Sequence, residues 1–158
     1  MRLAALRLFN VVAPEPAGGQ VFASFLRRAA AAIGSGPPPC RVRMGPLGAV
    51  RDFIAVDDVV RAVEAVLDRG AWGEAINICS GVGRPVRALI AATVDELDAK
   101  FVVEEDPADN GGVPWSVGDP ALCEARLGFR PSADLTAITR AAGAWISGEA
   151  QSHARSHA

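Results

Sequence analysis

Tyrosine is absent from the 158 residues, lysine occurs once, at Lys100, and the only histidines, His153 and His157, stand at the C-terminal end. The body of the chain therefore has no His or Tyr to act as a general base, and a catalytic Tyr/Lys pair cannot be assembled from it. Ser-His-Asp and Cys-His chemistry goes with the histidines, unless the tail folds back onto the body. Cysteine is scarce too: Cys40, Cys79 and Cys123 are far apart, with no CxxC and no nearby His. That argues against zinc and against a disulfide framework, and for a reducing compartment. Basic charge is almost entirely arginine, scattered along the chain, with a formal net charge of -2. Nucleic acid is not the expected partner. No apolar run approaches the roughly 18 residues of a membrane span. The stretch Leu3 to Ala13 is broken by Arg7 and Asn10, so it reads as a buried strand and not as a signal peptide. The expected location is the cytoplasm.

What is there is a core. Half of the residues are hydrophobic and 22% are charged, in a chain of one-domain length. Leu6 to Val12 reads as a buried parallel strand closed by a Pro-rich loop. Gln20 to Ile33 is a predicted helix with Phe22, Phe25, Leu26, Ala29 and Ile33 inward, Arg27 and Arg28 outward, and Gly34 as its stop. Short strands are predicted at Arg41 to Met44 and at Arg51 to Ile54. A helix capped by Asp57 or Asp58 follows, with Val59, Val63, Val66 and Leu67 on its apolar face and Gly70 at its end. Ala75 to Cys79 is a predicted strand, Ser80 to Gly83 a turn, and Pro85 to Leu97 a helix. Further on come a strand at Phe101 to Glu104, a polar loop from Asp106 to Pro114, a helix from Pro120 to Leu127 stopped by Gly128, and a helix from Thr136 to Ile146. Residues 149–158 are expected to form a flexible tail.

Three groups of residues invite a chemical reading. The turn Gly81, Val82, Gly83, after a strand and before a helix, could cradle a phosphate with backbone N–H groups, but Val86 stands where a dinucleotide fingerprint has its third glycine. A plain strand-to-helix turn is the preferred reading. Asp57 and Asp58 point in different directions from a helix start and form no dyad, so capping and the helix dipole account for them. Arg51 lies among apolar Val50, Phe53 and Ile54, where a guanidinium needs a partner: either the diphosphate of a ligand or a neighbouring Asp. Asn10, near the end of an apolar strand, is a ligand contact or a cap for the following loop. Asn77 and Cys79 read as structural.

The ordered segments LRLFNVVAP, GAVRDFIAVDDVVRAVEAVLDRG, GEAINICSGVGRPVRALI and VPWSVGDPALCEARLGFRP resemble the C-terminal half of the NAD(P)-dependent nucleotide-sugar epimerase/dehydratase family, the extended short-chain dehydrogenases. The resemblance runs from about Leu6 to Ile146 and is strongest to the GDP-mannose 4,6-dehydratase and GDP-4-keto-6-deoxymannose reductase branch. It implies an α/β fold: the C-terminal strands of a doubly wound, Rossmann-like parallel sheet with a small mixed substrate-binding lobe, over residues 1–148. It implies that Phe9 touches the nicotinamide side, that Asn10 holds the nucleotide-sugar, that Arg51 contacts its diphosphate, and that the strand bearing Val42 and Met44 lies against the base. NAD or NADP is the implied cofactor, one that this chain alone is not expected to bind.

By the same resemblance, a glycine-rich dinucleotide turn and a YxxxK pair would precede the strand matching LRLFN, ahead of the first residue here. The arginine of an RPxD motif is replaced in the segment from Asp106 to Pro114. The resulting expectation is a nucleotide-sugar-binding half of an epimerase, dehydratase or reductase, with no catalytic residue of its own, that needs a missing or separate N-terminal half for hydride chemistry, being either expressed beside that half or a truncated reading of a longer gene. The alternative is a non-catalytic binding or assembly protein derived from that family, pairing through an open sheet edge with itself or a partner. No metal and no membrane are expected.

Overall fold

β-branched and leucine-rich residues make the run from Ala5 to Val12 extended, but its pairing partner changes at Phe9, giving β1 (Ala5–Leu8) and β2 (Asn10–Val12). The computed structural model describes every residue except 17, 19, 36, 37, 107–111 and 157–158, and only the backbone of 34 and 152–156. After β2 come α1 (Val21–Gly34), β3 (Cys40–Met44), β4 (Val50–Ala55), α2 (Val56–Arg69) and β5 (Ala75–Ile78). Then follow β6 (Gly83–Pro85), α3 (Val86–Val94), β7 (Phe101–Glu105), β8 (Trp115–Ser116), α4 (Ala121–Leu127) and α5 (Thr136–Ser156). The strand pairs β1–β5, β2–β4, β3–β7 and β4–β8 are all parallel, which is the α/β class expected. The chain divides into two compact units, each built from three segments.

The first unit comprises Met1–Val12, Val50–Arg84 and Trp115–Leu135. β1 runs beside β5 with Leu6 opposite Ile76, and β2 runs beside β4 with Asn10 opposite Phe53. β4 also pairs with β6 and, through Val50 and Arg51, with β8. Ile54, Ile76 and Ile78 from the strands, Ala62 and Val66 from α2, and Cys123 and Leu127 from α4 form one buried cluster.

Two expectations about this unit need correction. Neither Asp57 nor Asp58 caps α2: β4 runs straight into the helix, so Ala55 takes the capping position and both acids fall in the first turn. Asp58 is buried, accepting from Arg61 Nη1 at 2.9 Å and from the Ser132 N–H at 3.0 Å, and so ties α2 to the segment after α4. Because strand and helix join without a loop, the strand fixes the helix's rotation. The buried positions are Asp58, Ala62 and Val66, while Val63 and Leu67, expected inside, are exposed. Gly70 does end the helix, at φ 66°, with its N–H on Val66 O at 3.0 Å. The expected helix from Pro85 to Leu97 also starts later and stops sooner. Gly83–Pro85 is drawn into the strand β6 beside β4, leaving Pro85 to precede a helix that ends at Val94.

The second unit comprises Ala13–Ala49, Pro85–Pro114 and Thr136–Ala158. α1 packs on β3, β3 pairs with β7 from Cys40↔Phe101 to Met44↔Glu105, and α5 packs on α1 and α3. Phe22, Phe25, Leu26 and Ala29 are buried as the helical spacing predicts. β3 alternates, with Cys40, Val42 and Met44 inside and Arg41 and Arg43 outside. Hydrogen bonds from Arg41 (2.6 Å) and Arg43 (3.4 Å) hold the Glu104 carboxyl below its ordinary value. α1 runs through Gly34 and ends at Ser35, whose backbone N–H and hydroxyl both bond to Ala32 O. α5 continues to Ser156, past Ile146 and through most of the segment expected as a tail. Among the described residues no helix is long and apolar enough to cross a membrane, and no cluster could hold a metal ion.

Candidate functional site

β4 carries three consecutive residues of different character, Arg51, Asp52 and Phe53. Strand alternation sends Asp52 to the face opposite its neighbours. Asp52 is fully buried, and a buried carboxylate requires donors. It finds them in the turn after β5: Oδ1 accepts from the Ser80 N–H at 2.8 Å and the Ser80 hydroxyl at 2.7 Å, and Oδ2 from the Gly81 N–H at 2.9 Å. A longer bond of 3.3 Å comes from the Gly118 N–H. Ser80 Oγ in turn accepts the Val82 N–H at 3.1 Å. The Gly81-Val82-Gly83 turn is thus an anion cradle, but the anion it holds is the protein's own Asp52. A phosphate has no free N–H at Ser80 or Gly81 to bind.

Phe9 and Cys79 close this network from the next layer. A Cβ on Gly118 would lie 2.6 Å from both Phe9 Cζ and Cys79 Sγ, so the loop after β8 approaches β1 and β5 as closely as a backbone can. Burial, and next the negative charge of Asp52, push the Cys79 thiol up to about 11. Cys79 stays a protonated core residue at neutral pH, as expected of it. Arg130 fastens the far side of the turn, its Nε donating to Ser80 O at 2.8 Å and its Nη1 lying 3.4 Å from Glu124.

Of the residues singled out in the sequence, Asn10 and Arg51 lie on the neighbouring strands β2 and β4, whereas the Phe9 ring turns toward Gly118 and Cys79. Asn10 Nδ2 donates to the Asp52 carbonyl at 3.2 Å, which fixes the amide across the β2–β4 pair. Since Asn10 is opposite Phe53, and Phe53 shares a strand face with Arg51, the Asn10 and Arg51 side chains leave the sheet on one face. Their Cα atoms are about 8 Å apart by strand spacing and rise. Arg51 Nη1 donates to the Val50 carbonyl at 2.8 Å, and its guanidinium makes no ion pair among the described residues. The neighbouring Asp52, which could have neutralised it, is fully engaged by the turn. Val42 and Met44 belong to the second unit, where both side chains are buried. Residues 107–111, the middle of the segment in which the RPxD arginine is replaced, and the two histidines' side chains lie outside the described residues.

Asp52 is the residue that sequence reasoning passed over. Its signal was an acid between Arg51 and apolar Phe53 and Ile54, which demands buried donors, while the glycine turn demanded an anion. The two needs meet across 28 residues of chain, a distance over which spacing says nothing.

With this geometry in place, comparison with known proteins identifies its context. A model of the NAD dependent epimerase/dehydratase family matches residues 1–79. The chain is 32% identical over 107 residues to a GDP-6-deoxy-D-mannose reductase of Pseudomonas aeruginosa, covering 68% of this chain and 35% of the relative. A UDP-glucose 4-epimerase of Rhizobium leguminosarum is 34% identical over 100 residues, covering 61% of this chain and 30% of the relative. Among solved structures, RMD from Pseudomonas aeruginosa complexed with NADPH superposes with a TM-score of 0.74 at 26% identity, over 94% of this chain and 48% of that one. A UDP-glucose 4-epimerase of Thermotoga maritima with UDP-glucose gives a TM-score of 0.78 at 25% identity, over 94% and 47%. The chain therefore spans no more than about half the length of the relatives it matches. The ordered motifs, the parallel α/β architecture and these matches agree: this chain belongs to the NAD dependent epimerase/dehydratase family.

Proposed function

We propose that this chain is the nucleotide-sugar-binding half of an NAD(P)-dependent sugar epimerase, dehydratase or reductase, working in the cytoplasm. The observation that carries the proposal is Arg51: a half-buried guanidinium without an ionic partner among the described residues, on the same sheet face as an amide fixed by a backbone bond. A diphosphate offers that guanidinium paired anionic oxygens, and the remaining polar capacity of Asn10 suits a sugar hydroxyl. The solved relatives bound to UDP-glucose and to NADPH support this choice of ligand class. Phe9 is assigned to the nicotinamide side. Val42 and Met44 keep their side chains in the core, and the exposed face of β3 carries Arg41 and Arg43 instead.

The Ser80–Gly81 turn does not fit a dinucleotide pyrophosphate, because Asp52 occupies both N–H groups. The dinucleotide is therefore assigned to residues outside these 158, in a part that brings a glycine-rich turn and a YxxxK pair. β1 pairs with a strand along one edge only among the described residues, and such an edge can take a partner's strand.

Calorimetric titration of the purified chain with UDP-glucose, GDP-mannose and dTDP-glucose tests the proposal. At least one should bind. Arg51→Ala should weaken that binding by about tenfold or more, in line with the roughly 1.5–3 kcal/mol of a charge-assisted hydrogen bond, and Asn10→Ala by less. If none of the three binds, the sugar-nucleotide role fails and the assembly role takes its place.

A further inference from the structure

A cavity of about 380 Å³ lies wholly within the second unit, lined by the last turn of α1, the loop between α3 and β7, and the C-terminal half of α5. That volume falls in the roughly 300–1,000 Å³ range of small-molecule sites. Ile33, Leu97, Ala99 and Ala150 give it an apolar lining. Its polar groups are Asp98, Ser147 and Gln151. Ser147 and Gln151 stand four residues apart, on one face of α5. The Ser147 hydroxyl donates to the Gly143 carbonyl at 3.1 Å, so its oxygen has only lone pairs left to offer a ligand. Gln151 adds an amide oxygen. Asp98 is exposed and has no ion-pair or hydrogen-bond partner among the described residues.

Two helix ends add to the negative potential. α1 stops at Gly34, just past Ile33, and α3 stops at Val94, shortly before Leu97, so the negative ends of both dipoles lie near the cavity. Neither helix carries a basic residue in its last turn. Lys100 follows Ala99 but does not line the cavity. We propose that this cavity binds a small primary amine in its ammonium form, with a single aromatic or branched aliphatic group against Ile33, Leu97, Ala99 and Ala150. An ammonium has N–H donors and no acceptor, which answers a set of acceptors that includes one unpaired carboxylate. A carboxylic acid or a phosphate would instead meet Asp98 and two helix C-termini with like charge. The nucleotide-sugar proposed for Asn10 and Arg51 is therefore the wrong ligand for it. Those two residues belong to the first unit, so the inference does not rest on the sugar-nucleotide reading.

Calorimetric titration of the whole chain with 2-phenylethylamine, 2-phenylethanol and phenylacetate tests the assignment, because the three probes share a shape and differ in charge. The amine should bind with a Kd of about 1 mM or tighter. Its affinity should exceed that of the alcohol at least about fivefold, and phenylacetate should not bind. Raising the salt from about 50 to about 300 mM should narrow the gap between amine and alcohol. Asp98→Asn, at an exposed position, should weaken the amine about fivefold and leave the alcohol unchanged. Ala99→Phe, which fills the cavity, should remove both while the circular dichroism stays that of the parent. Failure of the amine to bind, equal affinity for amine and alcohol, or an amine affinity unchanged by Asp98→Asn would each overturn the proposal. Whatever UDP-glucose does with the parent chain it should do with Asp98→Asn, so a failure here is distinct from failure of the sugar-nucleotide role.

Discussion

Asp52 holds two strands, a turn and a loop in register through one carboxylate. Removing it would leave the Ser80 and Gly81 N–H groups buried without acceptors, and each orphaned donor costs about 1–3 kcal/mol. Asp52→Ala should therefore lower stability by about 3 kcal/mol in urea denaturation. Asp57→Ala, exposed in the first turn of α2, should change it by about 0.5 kcal/mol or less. A small loss at Asp52 would mean that water enters the turn and replaces the carboxylate. The two positions also mark what the sequence reveals and what it hides. The need of Arg51 and Asn10 for partners was readable from their apolar neighbours, whereas the Ser80–Gly83 turn read as a plain strand-to-helix turn and its anion-binding role was not. That Asp52 supplies the anion, and thereby leaves Arg51 unpaired, depends on a contact that only the folded chain creates.

Helices and strands were legible where local signals agreed. α1 combines a period of 3.6 with arginines on its outer face, and α4 and α2 both end at glycine in left-handed geometry. The rotation of α2 was not legible, because hydrophobic spacing favours Val63 and Leu67 inside while the direct junction with β4 turns Asp58 and Ala62 inward. Nor was β6, a strand of Gly, Arg and Pro that forms by pairing with β4. The same backbone closeness gives a test at the level of elements. Gly118→Ala would drive a methyl into Cys79 and Phe9, both within 2.6 Å of the new carbon, and should destabilise by about 2 kcal/mol through overpacking. Gly148→Ala, in α5 with nothing within 4 Å of the added carbon, should instead stabilise by about 0.5–1 kcal/mol through helix propensity. Thermal unfolding of the two variants should shift in opposite directions, and a Gly118→Ala protein as stable as its parent would show that the loop after β8 yields freely.

For the whole molecule, the question is which part of an enzyme these residues supply. They form parallel strand pairs with flanking helices that superpose on about half of RMD from Pseudomonas aeruginosa, and they present Asn10 and Arg51 on one face. They supply no tyrosine at all, no histidine before His153 and a single lysine, Lys100. A positioned general base typically contributes about 10²- to 10⁴-fold to a proton transfer, and here the dinucleotide also lacks a turn with free N–H groups at Ser80 and Gly81. The purified chain should therefore leave nicotinamide absorbance unchanged when mixed with NADPH or NAD⁺ and any sugar nucleotide it binds. Adding a separately produced polypeptide that carries a glycine-rich turn and a YxxxK pair should bring turnover, and Arg51→Ala in this chain should then reduce it through KM more than through kcat, because the contact proposed for it with the diphosphate is one made before the reaction begins. Turnover by this chain alone would refute the division of labour. A loss confined to kcat in the Arg51→Ala mixture would place the guanidinium at the reacting sugar instead of the diphosphate.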